Sequence, residues 1–437
     1  MTIELKNIGM IKEAIVKIDG LTVIAGENDT GKSTVGKVIF SLIKASSRYK
    51  EDLEENKEKQ IFAKIEQIYF KLRREIDFSN RLDLREQFFP PIFKMDVDRQ
   101  GSIAIEKRLD FIYTSNNISE NFNIFNKIEN DLNQLLKIIN TEDKIEDMQK
   151  RAFQKVLISE FKGKITNLNS TNKSKIKIFD GQNPILNVTI RDNKITKFEV
   201  YDRLYFNDAT FIESPISLQL SELIDNSKTY FENIEKPLNR QPNISLHIKD
   251  LNEKLKESSY NEDLLDLDII FSDLDINTLN NNLSNTMNGN IKYHKKTKDF
   301  IYISNGNSFY SINTATGIKS FGIIQMLLKS GYINKNSLLI LDEPEVHLHP
   351  KWQLKYAKFI VKLVENNINV LVTSHSPYMI EALKRYSELE NIEQKTNFYL
   401  AKDGYIEHQD SLENIFEKLA LPMRELKKLK MAKYLND

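Results

Sequence analysis

The 437 residues carry as many lysines and arginines as aspartates and glutamates, so no global field draws in nucleic acid or an anionic membrane. With 40% hydrophobic and 28% charged residues, the chain suits two or three globular units rather than a disordered one. The absence of cysteine excludes disulfides, thiolate zinc sites and iron–sulfur ligation, and fits a reducing cytoplasm.

The start, MTIELKNIGM, lacks the basic and apolar regions of a signal peptide. No apolar run approaches the roughly 18 residues that cross a bilayer, so a soluble, cytoplasmic protein without membrane contact is expected. Three short strands are predicted at Ile3–Ile8, Ala14–Ile18 and Leu21–Ala25, with Gly20 at the last turn. The next nine residues, Gly26-Glu27-Asn28-Asp29-Thr30-Gly31-Lys32-Ser33-Thr34, fit G-x-x-x-x-G-K-[ST] between a strand and a helix. Glycines let backbone N–H groups fold around phosphates, and the new helix turns its positive end to them. Lys32 then reaches the β/γ-phosphates and the Ser33 hydroxyl is placed for Mg²⁺, so this segment predicts nucleoside triphosphate binding.

The helix after Lys32 is predicted to end near Ala45. Two amphipathic helical stretches follow, Lys50–Glu75 with Ile61, Ile65, Ile68, Tyr69 and Leu72 at helical spacing, and about Phe122–Phe161. Heptads are not sustained, which favours packed helices over a long coiled-coil arm. Strands are expected at Ile176–Phe179, Leu186–Ile190, Phe198–Tyr201 and Thr210–Ile212. A mostly helical segment runs from about Ile216 to Asn290, before strands at Ile291–Tyr293, Phe300–Ile303 and Phe309–Ile312. Asn313-Thr-Ala-Thr316-Gly317-Ile318-Lys319-Ser320 opens an apolar helix, a small residue plus glycine at a helix N-terminus.

Ser337-Leu-Leu-Ile-Leu-Asp342-Glu343-Pro344 reads as a buried parallel strand with two carboxylates at its end. Asp342 can hold the Mg²⁺ shell and Glu343 can polarise an attacking water. Asn369-Val-Leu-Val372-Thr373-Ser374-His375 is another such strand, presenting a histidine where ligands bind in open α/β sheets.

These four elements, in this order, resemble Walker A, signature, Walker B and switch histidine of the ABC-ATPase superfamily. IELKNIG…IDGLTVIAGENDTGKST and Asp342-Glu-Pro-Glu345-Val-His347-Leu-His349-Pro350 resemble the branch of SMC, RecF and overcoming-lysogenization-defect (OLD) ATPases. The expected fold class is α/β, with a phosphate-loop ABC-type head over 1–45 and 300–410. A large insertion of 46–299 would comprise a helical arm at 46–162, a β-rich part at 163–215 that returns to the head, and helices at 216–290. An amphipathic segment, 411–437, would close the chain, with Leu412, Ile415, Phe416 and Leu419 on one side and a break at Pro422.

The resemblance implies ATP and Mg²⁺ as cofactors. It places Gly26–Thr34, Thr316, Gly317 and Lys319 on the nucleotide, Ser33 and Asp342 on Mg²⁺, and Lys32, Glu343 and His375 in catalysis. Two heads would sandwich ATP, with Thr316 and Gly317 of one facing Lys32 and Ser33 of the other; higher oligomers are compatible. The signature reads Ala315-Thr316-Gly317-Ile318-Lys319 in place of L-S-G-G-Q. Glu213 or Gln219 is the Q-loop candidate. Asp266/Asp268 and Asp273/Asp275 resemble TOPRIM acids but precede the signature, whereas OLD proteins carry TOPRIM after the ATPase, and too little chain follows His375 for it. An ATPase without its own nuclease is therefore expected, similar to ATPase subunits of anti-phage systems such as Septu and PARIS that scaffold a separate nuclease or toxin. The rival is a RecF-like repair ATPase binding DNA directly, through Lys292/Lys295/Lys296/Lys298 or Arg424/Lys427/Lys428/Lys430. A zinc role for His347 and His349 is disfavoured, because no further ligand lies nearby.

Overall fold

Apolar alternation at the N-terminus folds as two antiparallel strands, β1 (Thr2–Ile8) and β2 (Ile11–Lys17), followed by β3 (Leu21–Gly26), buried along its whole length. The computed structural model describes residues 1–79, 81–116, 122–141, 144–166, 173–231, 242–258 and 276–421. Helix α1 (Lys32–Glu75) does not stop near Ala45 as expected. No glycine or proline interrupts it after Gly36, so one helix of 44 residues absorbs both predicted segments.

The chain divides into two compact units, 48–149 and 1–47 with 150–437. In the first, the outer part of α1 is accompanied by α2 (Leu82–Phe88), α3 (Pro90–Gln100), α4 (Ile103–Asn116) and α5 (Phe122–Asn140). Ile61, Ile65, Ile68 and Leu72 bury against Leu84, Phe88, Phe93 and Phe125, so the apolar stripe of α1 is spent on a core of its own. Lys64 reaches Asp131 at 2.7 Å, and Arg108 pairs with Asp96 at 2.6 Å while lying over the Phe93 ring. The second helical region breaks into α5 and α6 (Ile145–Phe161).

In the second unit, β4 (Lys173–Asp180), β5 (Asn183–Arg191) and β6 (Lys194–Val200) form an antiparallel meander whose β4 pairs with β1 through Ile3↔Ile178. The β-rich stretch is thus the continuation of the N-terminal sheet. Next come β7 (Asp208–Ile212), α7 (Ser221–Asp225), the short parallel pair β8 (Lys228–Thr229) and β9 (Asn243–Ile244), α8 (Leu246–Glu257) and α9 (Ile276–Met287). A separate antiparallel sheet is built from β10 (Asn290–His294), β11 (Asp299–Ser304) and β12 (Asn307–Tyr310). The remaining elements are α10 (Thr316–Lys329), β13 (Ser337–Asp342), α11 (Pro350–Glu365), β14 (Asn369–Ser374), α12 (Pro377–Leu389), β15 (Thr396–Lys402), β16 (Tyr405–Gln409) and α13 (Glu413–Leu419).

The main sheet has the order β6-β5-β4-β1-β2-β16-β15-β3-β14-β13-β7. Its last five strands, β15 to β7, are all parallel. Such strands are covered on both faces, which is why Leu338–Leu341 and Val370–Val372 read as unbroken apolar runs. Phe321, Ile324 and Leu327 of α10 and Tyr356 and Ile360 of α11 share one core with Val23, Leu339, Leu341, Val370 and Val372. Each such buried aliphatic side chain contributes roughly 1.5–3 kcal/mol relative to exposure. Parallel register then has a functional consequence. Ala25 lies opposite Ser374, Thr373 opposite Asp342, and Leu341 opposite Ile212, so Gly26, His375, Glu343 and Glu213 leave the same edge of the sheet.

Helix α13 packs Leu412, Ile415, Phe416 and Leu419 on this core. Pro422, the basic cluster at 424–430 and the acidic pairs Asp266/Asp268 and Asp273/Asp275 lie outside the described residues. Lys292, Lys295, Lys296 and Lys298 fall on β10 and its turn into β11. Among the described residues no helix is long and apolar enough to cross a membrane.

Candidate functional site

Between the end of β3 and the start of α1 the chain makes the predicted loop. Asp29 and Gly31 take positive φ, 61° and 92°. A Cβ on Gly31 would sit 3.0 Å from Ile11 Cγ1 in that already strained conformation. Lys32 is buried, and its ammonium donates to the Glu27 carbonyl at 2.7 Å and lies 3.4 Å from Glu343 Oε1. Thr30 Oγ1 closes the loop on the same carbonyl at 2.8 Å.

A cleft of about 520 Å³ opens over the loop, walled by Asn28, Asp29, Thr30, Gly31, Lys32, Ser33 and Thr34 on one side. Glu213, Asp342 and Glu343 come from the other strand ends, joined by His347, Ser320 and Tyr356. Gly26 and Glu27 precede this wall and are not part of it.

Asp342 is buried and accepts a 2.5 Å hydrogen bond from Thr373 Oγ1 on the neighbouring strand. Burial raises its pKa; hydrogen bonds from Thr373 and Ser33 temper the rise, and the Glu213 and Glu343 carboxylates add to it. That is the electrostatic state of a carboxylate short of positive charge. Glu343 follows with φ 50°, a left-handed conformation costly for a residue with a Cβ. Its N–H donates to the Thr373 carbonyl and Oγ1, each at 3.1 Å, which holds the strained turn. His375, opposed by burial and assisted by Lys32, keeps the Glu343 carboxyl below its usual range.

Glu345, the second acid of Asp342-Glu-Pro-Glu345, points inward. Its Oε1 accepts from Ser374 Oγ at 2.7 Å, His375 N at 2.8 Å and Ser376 N at 3.2 Å, tying down the loop that carries the histidine. His375 Nδ1 lies 3.5 Å from Glu343 Oε1 and 3.4 Å from Glu345 Oε1, without a hydrogen-bond partner among the described residues. The Glu343 carboxylate, against burial and with help from Glu345, raises the imidazole pKa.

Thr316, Gly317 and Lys319 are not brought to this cleft; they lie on the first turn of α10, and only the next residue, Ser320, lines it. Gly317 backs onto the Trp352 indole, where a Cβ would meet Cε3 at 3.0 Å. Lys319 is buried, and burial lowers its pKa. Of the two Q-loop candidates, Glu213 lines the cleft and Gln219 does not. His349 caps α11, its Nδ1 accepting from Lys351 N at 3.3 Å, whereas His347 lines the cleft. No group of three metal-ligating side chains is present among the described residues.

Sequence reasoning missed Thr373, Glu345 as an anchor, and the buried pair Glu160 and His247. Thr373 and Glu345 stand inside the motifs, at strand ends whose pairing could have flagged them. Glu160 and His247 are 87 residues apart and have no local signal.

The residues fit a nucleotide with its cation. A buried ammonium sits at the mouth of a helix, a buried carboxylate with a raised pKa stands beside the Ser33 hydroxyl, and the cleft between them is open. An α/β sheet whose parallel strands carry this loop at their carboxyl edge defines a phosphate-loop ATPase architecture. The AAA ATPase domain family matches residues 1–380, and the chain belongs to that family. It is 24% identical to endonuclease GajA of Bacillus cereus over 93% of this chain and 58% of that one, so it spans little more than half of that relative. It is 32% identical to the Septu protein PtuA of Bacillus thuringiensis, over 20% of this chain and 24% of that one. The Smc head domain of Pyrococcus furiosus, solved with an extended coiled coil and the C-terminal domain of ScpA, aligns at TM-score 0.39 and 10% identity over 98% of both chains.

Proposed function

We propose that this protein is an ATP-hydrolysing switch that dimerises head to head and regulates a separate effector, a nuclease or toxin, in anti-phage defence. One observation carries the hydrolytic reading: Lys32 and Glu343, 311 positions apart, meet at 3.4 Å over a cleft that also holds Asp342. Lys32 is poised to exchange the Glu27 carbonyl and Glu343 for the phosphates. Ser33 and Asp342 would hold Mg²⁺, which when bound neutralises charge developing on the phosphates. Glu343, kept ionised by its neighbours, would accept the proton of the attacking water, and His375 would touch the γ-phosphate end. Thr316, Gly317 and Lys319 of a second copy would complete the site; in their own chain they stand outside the cleft, with Gly317 and Lys319 buried. Completing the site across two copies couples hydrolysis to assembly, because phosphoryl transfer depends on positioned charge. The kinship with GajA and PtuA supports the defence setting.

The test is Glu343→Gln purified with ATP and Mg²⁺ from its host. A stable dimer bringing a stoichiometric nuclease or toxin-like protein is the expected result. A monomer refutes the shared site, and DNA in place of a protein partner moves the reading to a repair-type ATPase.

A further inference from the structure

Behind the cleft, two buried residues that no motif contains, Glu160 and His247, meet the Q-loop candidate Glu213. Glu160 near the end of α6 and His247 on α8 are 0% and 1% exposed, whereas Glu213, just past β7, is 44% exposed and lines the cleft. Both Glu160 oxygens are committed to one residue: Oε1 accepts from the His247 backbone N–H at 3.0 Å, and Oε2 lies 2.6 Å from Nδ1. The other ring nitrogen, Nε2, stands 3.0 Å from Glu213 Oε2. With a carboxylate on each nitrogen, both must donate, so the ring is an imidazolium. Phe211 at 4.6 Å and Phe40 at 6.1 Å between ring centroids fix its plane.

We infer that Glu160 and His247 are a positioning pair that holds the Glu213 carboxylate in the nucleotide cleft, making Glu213 a working residue of ATP turnover. The inference rests on the ATPase reading above. Three observations argue against mere core stabilisation. A buried carboxylate needs one cation, and Glu160–His247 already satisfies that need. A half-exposed carboxylate adds little stability to such a pair. And β7 runs parallel to β13 with Ile212 opposite Leu341, so Glu213 emerges level with Asp342. A carboxylate placed against another acid is repelled, and the imidazolium offsets that repulsion by fixing one Glu213 oxygen and leaving the other to the cleft.

The experiment is a double-mutant cycle on the full chain, reading kcat, KM and ATP affinity. His247→Asn keeps a group at the Nδ1 position and loses the reach to Glu213, whereas His247→Gln keeps the reach. His247→Asn and Glu213→Ala are each expected to lower kcat about tenfold to a hundredfold, with KM changed by no more than about threefold. His247→Gln should recover most of the loss, and Glu213→Ala/His247→Asn should be no slower than Glu213→Ala alone. If His247→Asn does not fold, Glu160→Gln takes its place in the same cycle. Additive losses, or equal kcat for the Asn and Gln variants, would overturn the inference while wild-type turnover leaves the ATPase reading intact. A wild-type protein that neither binds nor hydrolyses ATP removes both.

Discussion

Raising the pH through the neutral and mildly alkaline range should weaken this fold by removing the proton that His247 holds between Glu160 and Glu213. Burial alone would lower the pKa of that ring, but the Glu160 and then the Glu213 carboxylates outweigh it and carry the value from 6.5 to about 9. Below pH 6.5 the imidazole is protonated in both folded and unfolded chains, and the stabilisation is fully present. Between there and about 9 the folded chain keeps the proton and the unfolded one loses it, so stability falls as pH rises. At about 1.4 kcal/mol per pH unit, the interval is worth about 3 kcal/mol, a large part of the 5–15 kcal/mol typical of a domain. The assay is urea unfolding of wild type and His247→Gln across this range, comparing the difference between them so that other titrations, His375 included, cancel. The wild-type advantage should shrink steadily with pH at constant m-value. An advantage that stays flat would refute the doubly paired imidazolium.

Lys32→Ala removes the ammonium at the cleft and should weaken ATP binding about 30-fold or more, measured with a fluorescent nucleotide; unchanged affinity contradicts the site. Glu345→Ala leaves Ser374 Oγ, His375 N and Ser376 N without their shared acceptor. It should cost about 3 kcal/mol in chemical denaturation and lower kcat through His375; a silent variant would show that the loop holds itself. Gly36→Ala places a methyl 2.9 Å from Phe211 Cε2 and 3.0 Å from Ile340 Cγ2. Overpacking of that kind costs about 1–3 kcal/mol and exceeds the roughly 1 kcal/mol gain in helix propensity, so a lower melting temperature is expected and a higher one would contradict the packing.

Most of the cleft was legible in short stretches because its chemistry is local. A loop around phosphates needs glycines and a lysine within one turn of a helix start, and these occupy Gly26–Lys32. The ends of buried parallel strands announce themselves as apolar runs stopped by polar residues, as at Asp342-Glu343 and Ser374-His375. The resemblance drawn from those stretches agrees with the family match over residues 1–380. The length of α1 was misread because a change from apolar to charged composition at Lys50 looks like an end. A change of composition is not a stop signal, and no glycine or proline stands there to end the helix.

The sequence by itself marked the candidates for phosphate chemistry, Gly26–Thr34, Asp342, Glu343 and His375, and showed that their strands are buried, since side-chain type and periodicity are properties of neighbours in the chain. Tertiary structure alone decided that β4–β6 extend the N-terminal sheet and that Lys32 meets Glu343. It also set Glu213, rather than Gln219, on the cleft, with an imidazolium behind it supplied by α8 and anchored by α6. Strand order and the meeting of distant carboxylates depend on which surfaces pack together, and that free energy belongs to the whole fold and leaves no mark in any window of sequence.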